Sequence, residues 1–259
     1  LRDFAVEDAK GDAIKVKGVN DISFIRVRTE WTNGPDELNG AYGLYPVESK
    51  NVLIDSCVAI GASDAGIYVG QSENIIVKNS RAEYNVAGIE IENSYYADVY
   101  NNHAENNTGG ILVFDLPDIP QQGGHHVRVF KNKSINNNTD NFAPEGNIVG
   151  EVPRGTGIII QANSHVEIFD NDIGDNDTVN IAIVTYGYET DDENYYPHPK
   201  NIQIHNNRFT KSGLNPDLKT GELAKILFEL SDGDMPDIFW DGIIPLKQMI
   251  FGQPTHEKI

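Results

Sequence analysis

Two lysines, two tyrosines and two glutamates recur at matching places in a repeated sequence pattern: Lys15, Lys17, Tyr45, Tyr68, Glu90 and Glu92. A lysine ammonium can neutralise a sugar carboxylate, and a nearby phenol or carboxyl can exchange the proton on the adjoining carbon. This combination predicts acid–base chemistry on an acidic saccharide, with Tyr45, Tyr68 and Glu90 as catalytic candidates. Lys15, Lys17 and Glu92 are then the substrate-binding candidates. The alternative is a solvated strand face with weak contacts between neighbouring strands.

A second interpretation keeps the same face as a shallow platform that binds a glycan without changing it. Trp31 lies in a long turn of residues 28–38, and long turns often carry function in repeat proteins. Its ring, with those of Tyr45 and Tyr68, can stack on sugar rings.

These residues are positioned by an internal repeat, which is clearest over residues 39–108. Gly43, Gly66 and Gly88 mark equivalent places, 23 and then 22 residues apart. Each copy has two short runs in which apolar residues alternate with polar ones, the pattern of half-buried strands. A period of this length predicts a solenoid of stacked coils.

Weaker copies extend the solenoid on both sides of the clear ones. One covers residues 11–27, and later copies begin at Gly109, Gly155 and Asn180. Insertions interrupt the pattern at about residues 115–124 and 139–154. Leu112, Phe114, Ile159 and Val184 are predicted to point outward, so an insertion or the C-terminal tail is expected to cover them.

The repeat ends at Phe209, which divides the chain into a solenoid of residues 1–209 and a cap or tail of residues 210–259. Residues 221–230 have the spacing of an amphipathic helix. Trp240, Pro245 and Pro254 follow in the tail. We expect helix and tail to cover the exposed edge of the last coil; a docking arm for a partner is the alternative.

Asparagines follow the second strand of five coils, where stacked amides would form a ladder. These residues are Asn79, Asn101, Asn132, Asn171 and Asn206. The single cysteine, Cys57, excludes an internal disulfide and predicts a small interior filler.

The composition excludes some partners. The chain has 39 acidic and 20 basic residues, a net charge of −19, which excludes a whole-molecule attraction to nucleic acid or to an anionic membrane. No apolar run is long enough for a transmembrane segment. The N-terminal residues lack an export pattern, which leaves a cytoplasmic protein or one whose signal segment has been removed.

Metal and cofactor signals are weak. No cofactor is required by the motifs and no metal site is assigned, although calcium is a candidate ligand for two acidic loops. These loops contain Asp115 and Asp118, and Glu189, Asp191, Asp192 and Glu193. His125 and His126 are adjacent in a strand, so alternation predicts that they point to opposite sides and cannot share one metal.

Residues 11–209 resemble the right-handed parallel β-helix repeat proteins of the pectin-lyase-like superfamily. The runs at residues 82–93 and 109–117 are similar to those of an exported bacterial β-helix repeat family without an established activity. The resemblance implies an all-β fold, a single-stranded right-handed parallel β-helix of about seven coils with a C-terminal helix and tail cap. It also implies an extracytoplasmic location, in the periplasm, on the cell surface or secreted.

The run at residues 41–69 resembles the catalytic coil of mannuronan C5-epimerases, whose motif is Tyr-Gly-x-Asp-Pro-His. Tyr42, Gly43 and Pro46 match, whereas Tyr45 and Val47 stand where the motif has Asp and His. The resemblance adds Tyr42 as a substrate-binding candidate and Asp64, one step from a further acidic position of that family, as a catalytic candidate. Alternation places Asp64 on the neighbouring face.

These observations predict an exported β-helix protein that binds an acidic polysaccharide on the outer face of its first-strand sheet. Modification of that polysaccharide, by β-elimination or C5-epimerisation, is a further expectation. The alternative is a non-catalytic scaffold or binding module of the bacterial cell envelope, with an envelope protein as its partner. That scaffold would use the loop at residues 115–124, the longer insertion and the tail.

Overall fold

The alternating runs of the repeat form the strands of a parallel β-helix. The computed structural model describes residues 1–220 and 223–243, with the side chain of Leu227 excepted. Pro245 and Pro254 of the predicted tail lie outside the described residues. Each coil contributes one strand to each of three faces, and seven such coils follow one another along the axis.

The first face is an eight-stranded parallel sheet in which each strand pairs with the strand one coil away. Its strands are β2 (Ile14–Lys17), β4 (Tyr42–Val47), β7 (Ala65–Gly70), β10 (Ala87–Glu92), β13 (Gly109–Phe114), β16 (Thr156–Gln161), β19 (Val179–Val184) and β22 (Ile238–Trp240). The five strands from β7 to β19 are buried on both sides. One side contacts the interior of the solenoid and the other is covered from outside.

The second and third faces belong to one continuous sheet. The second face contains β3 (Asn20–Glu30), β5 (Lys50–Asp55), β8 (Glu73–Lys78), β11 (Tyr95–Tyr100), β14 (His125–Phe130), β17 (Ser164–Phe169) and β20 (Lys200–His205). The third contains β6 (Val58–Ile60), β9 (Arg81–Glu83), β12 (His103–Glu105), β15 (Lys133–Ile135), β18 (Asp172–Gly174) and β21 (Arg208–Phe209). The long strand β3 pairs with β5 and then with β6, and β1 (Arg2–Glu7) pairs with β3.

Equivalent aliphatic side chains of successive coils stack in the interior. Ile67, Ile89, Ile111, Ile158 and Ile181 occupy one register position, and all are fully buried. Burial of such a side chain contributes about 1.5–3 kcal/mol. Cys57 belongs to the same core, as predicted.

The glycines that mark the repeat leave room for an asparagine ladder. A Cβ built on Gly66, Gly88, Gly110 or Gly157 would lie within 3 Å of a buried asparagine amide. These amides belong to Asn85, Asn107, Asn137 and Asn176. Each donates a hydrogen bond to the side-chain oxygen of the next, at 2.9–3.2 Å. The repeat therefore needs glycine where this ladder crosses the first face.

A second asparagine ladder follows the second face, one residue after the predicted position in two of its coils. The ladder contains Asn102, Asn132, Asn171 and Asn207. Each side-chain amide donates a hydrogen bond to the next one, with donor–acceptor distances of 2.9–3.1 Å. Asn132 and Asn171 were correctly placed. The prediction was wrong for Asn79, Asn101 and Asn206, which are exposed and adopt the left-handed backbone at the corner. Asparagine tolerates that backbone, so both neighbouring positions favour it.

The insertions and the C-terminal residues cover the first face. Residues 139–154 include a short 3₁₀ helix (Ile148–Glu151) whose Val149 packs on the outward apolar side chains of this sheet. The predicted helix is present as α1 (Leu223–Leu230), and its Leu223 and Phe228 pack on the same cluster. Strand β22, rather than the helix, pairs with the edge strand β19. Within the described residues, no helix is long and apolar enough to cross a membrane.

Candidate functional site

The register of the first face brings the predicted column of chemical side chains together. Lys15 pairs with Tyr45, and Tyr68 pairs with Glu90. In the next outward column, Glu92 pairs with Gly70. The sequence therefore predicted correctly which residues are neighbours along this face.

Three tyrosines form a compact cluster at the N-terminal end of the first face. The ring centroids of Tyr42 and Tyr45 are 4.3 Å apart, and those of Tyr42 and Tyr68 are 4.6 Å apart. Lys15 Nζ lies 4.2 Å from the centroid of the Tyr45 ring. Lys15, Lys17, Tyr42 and Tyr45 all retain solvent exposure, so this end of the face can meet a ligand.

Behind the tyrosines lie three buried carboxyl groups. Asp64, Glu90 and Glu92 are 6%, 1% and 8% exposed. Tyr68 Oη donates to Glu92 Oε1 at 2.7 Å, and Tyr42 is hydrogen-bonded to Asp64. A Cβ at position 70 would lie 2.1 Å from Tyr68 Oη, so glycine there leaves room for the phenol to reach Glu92.

Burial makes the acids of this cluster hold their protons more tightly. It raises the pKa of Asp64 to about 7, although the Tyr42 hydrogen bond acts in the opposite direction. Burial and the charges of Asp64 and Glu92 raise the pKa of Glu90 well above its usual range. Among the described residues, Glu90 Oε2 is buried without a hydrogen-bond partner, a position that disfavours the charged form of the carboxyl.

Several predicted site residues are not accessible. Tyr68, Glu90 and Glu92 are covered, so a ligand on this face contacts Tyr42 and Tyr45 before it can reach them. The insertion contributes to this cover, since Asn147 Nδ2 approaches Asp64 Oδ2 to 3.5 Å. The expectation that Asp64 lies on a neighbouring face was wrong, because it precedes the strand and turns toward Tyr42.

Trp31 does not fit the predicted stacking platform. Its ring is 4% exposed, and its indole N–H donates to the carbonyl of Ala9 at 2.8 Å. The buried ring packs beside Gly40, so the prediction of a sugar-stacking role for Trp31 was wrong.

The acidic loops hold their carboxylates by protein contacts. Asp115 accepts from the backbone N–H groups of Gly123 and Gly124 at 3.0 and 2.7 Å, while burial raises its pKa to about 6. Asp192 accepts from the Gln122 amide, which lowers the pKa of Asp192. Among the described residues, no group of three or more His, Cys, Asp or Glu side chains could hold a metal ion. Calcium binding stays a prediction.

The second face of the solenoid is open and carries polar side chains that were not among the predicted site residues. His126 has a left-handed backbone, with φ of 57°, and its Nδ1 lies 2.8 Å from His125 Nδ1. The prediction that the two imidazoles point apart was therefore wrong. The left-handed backbone at the start of β14 interrupts the alternation of side chains. His126 also stacks on His165, with centroids 4.7 Å apart and planes at 2°. Aligning the second strands of all coils would have placed these histidines in one column.

Comparisons with known proteins agree with this fold. The family described as a right-handed β-helix region matches residues 2–118. The solved structure of a mutant of the periplasmic alginate epimerase AlgG has a TM-score of 0.50 at 12% identity, covering 77% of this chain and 50% of that one. The A-module of the mannuronan C-5 epimerase AlgE4 from Azotobacter vinelandii has a TM-score of 0.47 at 16% identity, covering 83% of this chain and 54% of that one. Comparison with curated protein sequences finds no match.

The chain has the fold of a right-handed parallel β-helix, as the sequence predicted, and the family model matches its N-terminal part. Its similarity to the mannuronan epimerases is distant, and it spans about half the length of those two structures.

Proposed function

We propose that the protein binds an acidic polysaccharide at the N-terminal end of its first face. The supporting observation is the position of Lys15 over the Tyr45 ring, beside Tyr42 and the buried Asp64. A sugar carboxylate would pair with Lys15 or Lys17, and a sugar ring would lie against Tyr45. We also propose an extracytoplasmic location, in keeping with the description of AlgG as periplasmic.

Modification of the bound polymer is the second part of the proposal. In β-elimination, a base takes the proton from the carbon next to the carboxylate, the neighbouring bond to the glycosidic oxygen breaks, and that oxygen receives a proton. In epimerisation, the proton returns to the same carbon from the opposite face. Burial raises the pKa of Tyr45, so this phenol keeps its proton until the glycosidic oxygen takes it, whereas Asp64 is suited to accept a proton through Tyr42.

A binding experiment with matched variants tests the first part. Isothermal titration with mannuronate, guluronate and galacturonate hexamers should give binding to the wild type and at least about tenfold weaker binding to K15Q/K17Q. The double variant K131Q/K133Q, which removes the same charge from exposed lysines near the third face, should bind like the wild type. Equal affinity of K15Q/K17Q and the wild type for every polymer would exclude this site.

Two readouts test the second part. Formation of an unsaturated uronate raises ultraviolet absorbance, and epimerisation changes the proton spectrum of the polymer without shortening it. Activity should fall in Y45F and in D64N while hexamer binding is retained in D64N. Binding without either product across the panel would leave a glycan-binding protein and refute the catalytic part. An envelope protein partner stays a prediction of the sequence alone.

A further inference from the structure

The second face carries an open groove that the proposed function does not use. Its volume is about 1040 Å³, and it crosses the strands from β5 to β20 along the axis of the solenoid. The strands here alternate between buried and exposed residues, so no other segment of the described chain covers their outer side. The groove therefore offers an extended surface to a ligand.

One column of polar side chains runs along this groove, one from each of the six coils that it crosses. The column contains Asn51, Asn74, Tyr96, His126, His165 and Asn201. All six residues have positive φ, between 54° and 58°. Asparagine accepts this backbone readily, but tyrosine adopts it rarely. Tyr96 is 51% exposed, so the interior of the fold does not account for its presence at this position.

The charges of this face cancel, although the whole chain carries −19. Arg128 binds Asp98 in a bidentate pair at 2.7 and 2.6 Å. Lys50 lies 2.9 Å from Glu73, and Lys78 lies 3.5 Å from Asp55. An uncharged ligand would meet no net repulsion here, whereas a polyanion would still be repelled by the rest of the molecule.

The backbone of this sheet is already engaged in strand pairing, so recognition must come from side chains. Amides, imidazoles and phenols both donate and accept hydrogen bonds, as sugar hydroxyls do. The column repeats at the spacing of paired strands, about 4.8 Å. A periodic surface of this kind is suited to a ligand that repeats the same hydroxyl groups along its length.

We propose that this groove binds a neutral polysaccharide strand, with the column from Asn51 to Asn201 as its main contact. This site is separate from the acidic-polysaccharide site in both position and ligand charge. Tyr96, with its large exposed ring, is the principal apolar contact, and His126 and His165 supply hydrogen bonds to hydroxyls.

The test compares binding of cello-, manno- and xylo-hexasaccharides to the wild type and to Y96N/H126N/H165N. Asparagine fits the left-handed backbone of this column, so the fold is expected to be retained, with an unchanged circular dichroism spectrum. Affinity for the bound sugar should fall at least about tenfold. Tyr84 is the matched control, since it has φ of 57° and is 43% exposed after β9. Y84N should bind like the wild type.

Three results would overturn the proposal. The first is that no neutral hexasaccharide binds to the wild type. The second is equal affinity of the triple variant and the wild type for the neutral sugar. The third is that uronate hexamers bind more tightly than neutral ones and that this binding is lost in the triple variant. The variant K15Q/K17Q should retain neutral-sugar binding. Failure of acidic-polysaccharide binding would therefore leave this site untouched, and either of the first two results would leave the first-face proposal untouched. The third result would count against both sites, because it would place the uronate on the second face.

Discussion

Tyr42 links the exposed and buried parts of the first-face site. Its ring touches Tyr45, which is half-buried beside Lys15, and it is hydrogen-bonded to Asp64. Burial raises the pKa of Tyr42, so the phenol keeps its proton and acts as a donor toward Asp64. A ligand at Lys15 is thus one side chain away from a carboxyl that titrates near neutrality.

The buried carboxyls predict that thermal stability falls as pH rises. The pKa of Asp64 increases from 3.8 to about 7 on folding. Between these pH values the folded state holds a proton that the unfolded state releases. The contribution of this proton to the stability of the folded state is therefore lost as pH rises through this window. D64N should flatten the dependence of Tm on pH over this range, measured by circular dichroism in a buffer series.

Asp140 provides the control for this titration, because its side chain is 96% exposed. D140N should show the pH dependence of the wild type. The same slope in D64N and in the wild type would contradict the raised pKa of Asp64.

At the scale of elements, the insertion of residues 139–154 converts an open sheet face into a covered one. Val149 is 1% exposed and packs on a cluster that includes Leu112, Phe114 and Ile159. This packing keeps apolar side chains from water and also limits access to Asp64 through Asn147. The insertion is therefore both a structural cover and a wall of the candidate site.

The variant V149D tests this cover. A carboxylate at this position would be buried without a partner or would force the insertion to detach, at a cost of about 3 kcal/mol or more. We expect a lower midpoint in urea unfolding and new binding of a hydrophobic dye to the folded protein. E145A, at an exposed position of the same insertion, should leave both unchanged. Unaltered dye binding in a folded V149D protein would argue against the cover.

The buried ladder makes a prediction that distinguishes a ladder asparagine from an exposed corner asparagine. Asn132 donates to Asn171 Oδ1 and to the Val99 carbonyl, and accepts from Asn102. N132A should lower the free energy of unfolding by about 2–4 kcal/mol, because its neighbours lose buried hydrogen bonds. N101G removes an exposed corner asparagine and should cost less than about 1 kcal/mol. Equal losses in urea unfolding would refute the assignment of the ladder.

The sequence was sufficient to predict the coils, the strands of the first face and their register, because glycine spacing and alternation recur in every copy. It was insufficient at the corners. Residues 101–102 and 206–207 are asparagine pairs, so the residue type does not show which of the two adopts the left-handed corner and which joins the ladder. At His126, the second residue of β14, the backbone is also left-handed, and this interrupts the alternation of side chains.

The candidate site was predicted only in part, for a different physical reason. Local patterns predict that Tyr68 and Glu90 are neighbours, and the register agrees. Their burial depends on residues 139–154, which lie far along the chain and have no period of their own. Contacts of that kind are tertiary, so alternation within a strand carries no information about them.

On the scale of the whole molecule, the solenoid separates two candidate surfaces on different faces. The first face presents Lys15 and Lys17 at one end of a covered sheet, and the second presents an open and electrically balanced groove. Both lie on a chain with a net charge of −19. Long-range electrostatics should therefore distinguish acidic from neutral ligands even where local contacts are favourable.

The proposed acidic-polysaccharide binding predicts an unusual response to salt. At long range the chain repels a polyuronate, whereas the pairing of a carboxylate with Lys15 acts over a few ångströms. The Debye length falls from about 30 Å at 0.01 M to about 8 Å at 0.15 M ionic strength, which screens the repulsion more than the contact. The association rate with a polyuronate should thus rise several-fold over this range, measured by surface plasmon resonance. The association rate of a neutral oligosaccharide with the second face should change little with salt. If the association rate of the polyuronate falls with salt, a long-range attraction controls the encounter, which contradicts this charge distribution.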